Sequence, residues 1–325
     1  MLLSFARRFA AVIGSAMILL FFSEYYFLNE GPVERLITGL QIPFQLALSI
    51  AEFTLYYGLF TYIFFLVIHH FQVKTYLDLL LAGAIFGWAT EALVVPIVYE
   101  AVPFSFVFPS ISWHALIDVL LGWYLVRRIM RRNNATLTAI MFIVLGAIWG
   151  WWATWFWIDT DPNALQPLLP TDFVVYTIVT SLFALIGFVI ADRFGIDDFQ
   201  PSRWEAGFIL AISILLFTGT AILFLPLSLA LPPVIALTLF ALHRSKANGH
   251  QQDRLHLFSS PPPIGWHYGL GLLMPLTASL IYPIVYENQI AVPTEDITAL
   301  LLVAGFVSFM VALIRPFTQK RAQMT

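Results

Sequence analysis

His114 and Asp118 stand four residues apart in the run SISWHALIDVLLGWY (110–124), while Glu52 and Glu91 interrupt two earlier apolar runs. An ionisable side chain inside a bilayer costs about 2.5–3.5 kcal/mol on insertion scales and usually faces the protein interior, so such residues are candidates for chemistry. Two chemistries suit the set. In the first, Glu91 is a general base and His114 and Asp118 form an acid and its orienting partner. In the second, His114, Asp118 and Glu91 bind a divalent cation, with Glu52 as a further ligand, since imidazole suits zinc and carboxylates suit magnesium or manganese. Pro109 is suited to a first helical position, which sets His114 near the positive end of a helix dipole and favours neutral imidazole. Glu24 and Glu100 lie near the outer ends of their runs and are expected to line the rim of a pocket. The structural alternative is that His114 only bonds Asp118 and glues two helices, and that Glu52 is a protonated hydrogen-bond donor.

The elements that would carry these groups follow from composition. The chain has 325 residues, 60% hydrophobic and 11% charged, with a mean hydropathy of +0.84. Soluble domains carry about 25% charged residues, so this chain is expected to be solvated by lipid. A helical span needs about 20 apolar residues. Ten such runs occur, at 9–28, 45–68, 77–98, 108–126, 137–158, 173–191, 205–224, 226–243, 266–286 and 296–314. The eighth carries Pro226, Pro232 and Pro233 and is expected to be kinked or partly unwound. The N-terminal run follows Arg7 and Arg8 but lacks a small-residue cleavage site, so it reads as an uncleaved first span. There is no cysteine, which excludes disulfides and thiolate chemistry.

Charge tests the count. With the N-terminus inside, 15 of the 16 basic residues fall in inner segments and only Arg35 falls outside. Adding or dropping one span scrambles this partition. The expected fold is therefore an all-α polytopic bundle of about ten spans, a single integral membrane domain over 1–325 with both termini cytoplasmic, and the charge bias together with the lack of an organelle signal places it in a bacterial inner membrane. Acidic residues, among them Glu30, Glu34, Asp159, Asp161, Asp172, Glu295 and Asp296, gather on the outer side. The outer segment 28–44 is expected to hold a short amphipathic helix (VERLITGLQI). The inner segment 244–265 reads as a polar linker, and His243, His250, His256 and His267 in and around it read as solvated.

Spacing also predicts facing. Ser110, His114, Asp118 and Gly122 form one stripe, and Gly83, Gly87 and Glu91 another. Small residues at four-residue spacing let helices approach in lipid, so Glu91 should point at a neighbour. Gly146 and Gly150 repeat the device in the fifth run, which is expected to pack near the pocket. At a rise of 1.5 Å per residue, Glu52, Glu91 and His114 lie roughly 10 Å below the outer ends of their runs, with Asp118 a turn deeper. Trp149, Trp151, Trp152, Trp155 and Trp157 read as an interfacial aromatic belt. Two echoes, PIVYE at 96–100 and 283–287 and GAIFGWAT (83–90) beside GAIWGWWAT (146–154), lack the fixed period of true repeats.

The His-x-x-x-Asp of His114 and Asp118 resembles the last motif of the intramembrane CAAX-type glutamate proteases. Their paired Glu-Glu-x-x-x-Arg and Phe-x-x-x-His motifs have no counterpart here, and the family is not assigned. Phosphate-binding loops, nucleophile elbows and His-Glu-x-x-His pairs are also missing. The expected partners are membrane lipids and a small-molecule or lipid-linked substrate, with no nucleic acid. Three functions compete. They are a membrane-embedded hydrolase or transferase acting on a lipid, lipid-linked or exported substrate, a proton- or cation-coupled secondary transporter, and an assembly subunit without catalysis. The ionisable residues occupy one leaflet, whereas alternating access needs a midplane site reached from both faces. That asymmetry favours the enzyme.

Overall fold

The computed structural model describes residues 2–40, 42–158, 166–196, 199–247 and 261–318. Among them every regular element is helical, and ten helices are long and apolar enough to cross a membrane. We number them as spans 1 to 10: Phe5–Tyr25, Pro43–Phe71, Tyr76–Leu93, Phe104–Met130, Ala135–Trp157, Pro170–Arg193, Arg203–Ile222, Leu227–Ala247, Trp266–Glu287 and Thr294–Thr318. Each overlaps one of the ten apolar runs, because twenty apolar residues without a break must satisfy their backbone internally. The end of the bundle at which span 1 stops is here called distal, and the opposite end proximal. Asp159, Asp161, Arg254, His250 and His256 lie outside the described residues.

Small residues decide which spans touch. Span 1 packs on spans 2, 4 and 6, span 3 on spans 4 and 10, and span 5 on span 9. The apolar window of span 3 is 83% buried and that of span 7 only 6%. Span 3 is thus a central column and span 7 a peripheral one. The expected packing of span 5 beside the pocket is not what the glycines do: Gly146 and Gly150 lie against the backbone of span 9, at Met274 and Ala278. The tryptophan belt is likewise an interior layer in part. Trp149 and Trp152 are buried, stacked on Tyr26 and Trp113 respectively.

Proline placement explains span 8. It opens with a 3-10 turn at Leu227–Ala230 and continues as an α-helix over Leu231–Ala247. Pro232 and Pro233 therefore sit in the first α-turn, where a missing amide leaves nothing unsatisfied. The expected interruption is confined to the start. Span 3 stops at Leu93, earlier than its apolar run, and Pro96 leads into a 3-10 turn at Ile97–Tyr99. The first PIVYE lies in that turn region and the second ends the helix of span 9, so the echo marks no shared structure. The expected outer helix forms over Glu30–Leu40 and lies along span 2.

Ion pairs, buried at Asp192 and half-buried at Glu205, tie the proximal half. Asp192 of span 6 accepts from Arg127 Nε at 3.0 Å, Arg131 Nη2 at 2.9 Å and the Tyr268 hydroxyl at 3.0 Å, joining spans 4, 6 and 9. Arg8 donates to Glu205 at 2.6 Å, and Tyr62 donates to the same carboxylate at 2.9 Å. His267, expected to be solvated, is buried in the first turn of span 9 against Trp266, while His243 is exposed.

Candidate functional site

Among the described residues two segments are π-wound, and they meet. Span 1 ends in a π-turn over Phe21–Tyr25, and span 4 is wound as a π-helix over Ser110–Val126. The His114 amide accordingly bonds the Pro109 carbonyl, five residues back, at 3.2 Å. Winding of this kind is rare and recurs at functional sites. Here it carries Ser23 and Glu24 on one helix and His114 and Asp118 on the other. Trp113 fixes the contact by donating to the Phe22 carbonyl at 3.1 Å. Gly122 makes room for it, since a Cβ there would come within 2.3 Å of the Phe22 ring.

Span 3 closes on span 4 through its glycine stripe. A Cβ on Gly87 would lie 1.8 Å from the Ser110 carbonyl oxygen, and one on Gly83 would lie 3.1 Å from Ala115. That close approach brings Glu91 to His114, as the spacing predicts. His114 Nε2 is 2.6 Å from Glu91 Oε1, and Nδ1 is 2.7 Å from Asp118 Oδ2. All three residues are buried, Asp118 completely. A third contact reaches Nδ1 from Ser23 Oγ at 3.2 Å. Ser23 also bonds the Tyr57 hydroxyl, which donates to Glu24 Oε1, and Glu24 Oε2 accepts from Asn29 at 2.7 Å. The result is one polar chain, Asn29–Glu24–Tyr57–Ser23–His114, flanked by Asp118 and Glu91, in otherwise apolar surroundings.

The hydrogen bonds constrain the protons. If both acids beside His114 are ionised, the ring must donate at both nitrogens. If the ring is neutral, one acid carries the proton. In neither state does the imidazole keep a free lone pair for a metal. Among the described residues no group of three or more His, Asp and Glu side chains is placed to hold a metal ion. The three residues expected to share a cation are joined to one another by hydrogen bonds. Ser23 does not complete a hydrolase triad either. Its hydroxyl is shared between Tyr57 and His114 Nδ1, and Nδ1 is already taken at closer range by Asp118.

A cavity of about 380 Å³ opens beside this chain at the distal end, where Glu24, Glu91, Arg35 and Glu52 stand among apolar side chains such as Phe53 and Phe60. Its geometry reverses two of the expected roles. Glu24, expected at the rim, is buried at the centre. Glu52, expected beside Glu91, is at the mouth, its side chain 39% exposed and paired with Arg35 at 3.2 Å. Span 2 is 29 residues long, or roughly 43 Å at 1.5 Å per residue, against roughly 30 Å of hydrocarbon. Its first turns are exposed, and Glu52 is shallower than its place in the apolar run implies. Glu100 is exposed on the turn after Ile97–Tyr99 and does not line the cavity.

The residue of span 2 that enters the site is Tyr57. Five residues separate it from Glu52, which rotates it by about 140° around the helix. Sequence reasoning missed Tyr57 and Ser23 because tyrosine and serine are common and cheap in spans. The available signal was the pair Ser23–Glu24 at the end of span 1, at the same depth as His114. Glu91 Oε2 and Asp118 Oδ1 are buried without partners. Glu91 is the one of the two that lines the cavity.

Comparison with protein-family models, with curated proteins and with solved structures finds no match. The site is therefore interpreted from its own geometry.

Proposed function

We infer that the chain is an integral membrane enzyme, a hydrolase or transferase working by acid–base chemistry from the distal cavity on a lipid, lipid-linked or exported substrate. The observation that carries this reading is the setting of Glu91. One oxygen is held by His114, the other is buried without a partner, and the residue lines the distal cavity. A carboxyl fixed on one side and left unpartnered on the other, in a residue that borders a cavity, is suited to take a proton from a bound hydroxyl or water and return it to a leaving group. His114 orients that carboxyl, and Asp118 behind it offers a second seat for the proton. Glu24, held by Tyr57 and Asn29 on the same cavity, supplies the second carboxyl that an acid–base pair requires.

The same reading assigns the proximal end and both termini to the cytoplasm of a bacterial inner membrane, because a ten-span reading of the sequence with the N-terminus inside puts 15 of 16 basic residues in inner segments. The cavity then opens to the non-cytoplasmic leaflet. Against the transporter, Phe64, Phe65, Phe86 and Trp123 are buried ring against ring on the proximal side of the acids. Packing of that kind favours chemistry from one side over passage.

The test uses the full chain in sealed vesicles of lipid extracted from its native membrane, with products followed by mass spectrometry and lumenal pH by a trapped dye. The wild type should convert a lipid or lipid-linked species while lumenal pH stays constant. Glu91→Gln and His114→Ala should lower the rate about 10²–10⁴-fold with helical content unchanged. Proton movement across the vesicle with every lipid species intact would refute the enzyme and favour transport.

A further inference from the structure

A second and larger cavity lies away from the acids. It is a groove of about 650 Å³ between spans 2, 3, 7 and 8, reaching from Leu93 and Leu231 to His70 and Phe71. Its lining is apolar apart from His70 and Ser213, and the Ser213 hydroxyl donates within its own helix to the Ile209 carbonyl at 2.8 Å. Leu210 and Ile214 on its wall are 44% and 64% exposed, so the groove communicates with the surrounding hydrocarbon. At its proximal end Phe71 lines a further cavity of about 110 Å³, shared with Gln72, Lys74, Asp78 and Lys246.

Positive charge outnumbers negative there: Lys74 and Lys246 line the pocket against the single carboxylate of Asp78. Asp78 is occupied by Thr75 at 2.7 Å and Ser245 at 2.6 Å, and neither lysine is paired with it. Arg315 reaches the Thr75 hydroxyl at 3.1 Å and adds positive charge. Lys246 donates to the His70 carbonyl at 2.7 Å, which keeps its ammonium at the mouth of the groove. An apolar slot at bilayer depth that ends in a basic pocket between helices has the form of a site for an anionic lipid.

We propose that this is a binding site for one anionic phospholipid, with a hydrocarbon chain in the groove and its phosphate between Lys74 and Lys246. The site is separate from the acid cavity and stands whether or not the chain is an enzyme. Its role is to fill and fasten the seam between the central column of span 3 and the loosely packed spans 7 and 8.

The experiment is native mass spectrometry of the full chain released from nanodiscs of equimolar phosphatidylglycerol and phosphatidylethanolamine. One phosphatidylglycerol should be retained per chain in preference to the zwitterionic lipid. Lys74→Gln with Lys246→Gln should lower that preference about 25-fold, at roughly fivefold per lysine, while Lys74→Arg with Lys246→Arg preserves it. Ala236→Trp, which fills the groove, should abolish retention without touching the lysines. Equal retention of the two lipids by the wild type, or retention that survives both the glutamine pair and Ala236→Trp, would overturn the proposal. So would displacement of the lipid by millimolar inorganic phosphate, because the pocket would then bind the free anion without using the groove.

Discussion

Replacing Gly87 by alanine tests whether the glycine stripe of span 3 positions the site. The added Cβ would lie 1.8 Å from the Ser110 carbonyl oxygen. That oxygen belongs to backbone and cannot rotate away. Real Cβ contacts essentially begin at 3.0 Å, so the two spans must part by about 1.2 Å, the difference between 3.0 and 1.8 Å. The Glu91–His114 separation of 2.6 Å would then lengthen to as much as about 3.8 Å, beyond hydrogen-bond range. Overpacking of this kind costs about 1–3 kcal/mol. The lost bond adds about 0.6–1.7 kcal/mol on membrane measurements. Together the destabilisation is about 2–5 kcal/mol. A misplacement near 1 Å also lowers a catalytic rate by about 10². Because the chain has no cysteine, a cysteine pair introduced on the distal ends of spans 3 and 4 can be spin-labelled without background, and unfolding can be followed in mixed micelles. Gly83→Ala, whose Cβ meets Ala115 at 3.1 Å, serves as the mild control. The reasoning is refuted if Gly87→Ala matches the wild type within about 0.5 kcal/mol and leaves the interspan distance unchanged.

Two further outcomes follow from the contacts described. Asp192→Asn removes the anion shared by Arg127 and Arg131 and should cost about 3–5 kcal/mol, whereas Arg35→Gln at the exposed mouth should cost less than about 1 kcal/mol; similar losses in mixed-micelle unfolding would contradict the burial argument. Since both ring nitrogens of His114 are engaged by carboxyls, the lipid conversion sought in vesicles should survive EDTA unchanged, and restoration by added zinc or magnesium after chelation would return the site to metal chemistry.

Much of the positional logic was legible. Gly83, Gly87 and Glu91 share a helix face, and that face meets span 4 as four-residue spacing requires. His114 and Asp118 form the expected pair. The failures have a common cause. Glu24 and Glu52 were ranked by apparent depth in an apolar run, yet depth depends on where a helix enters the bundle and how far it projects. Span 2 is the longest of the ten and its first turns are exposed, so Glu52 stays in the mouth. Span 1 bends through a π-turn, so Glu24 turns inward. Gly146 and Gly150 carry the same local signal as Gly83 and Gly87 but serve a different partner, because a small-residue stripe specifies close approach without specifying to what.

By itself the sequence determined a helical membrane chain with ten candidate spans, since an apolar run of twenty residues has few other ways to satisfy its backbone in lipid. It also determined that Glu91, His114 and Asp118 are too expensive to bury without partners. Only the tertiary structure decided that those partners are one another, that Ser23, Tyr57 and Glu24 extend the chain, and that the cavity opens beside Glu91. Those outcomes depend on helix rotation and on the meeting of two π-wound segments, which are set by packing between spans distant in sequence and leave no trace in local periodicity.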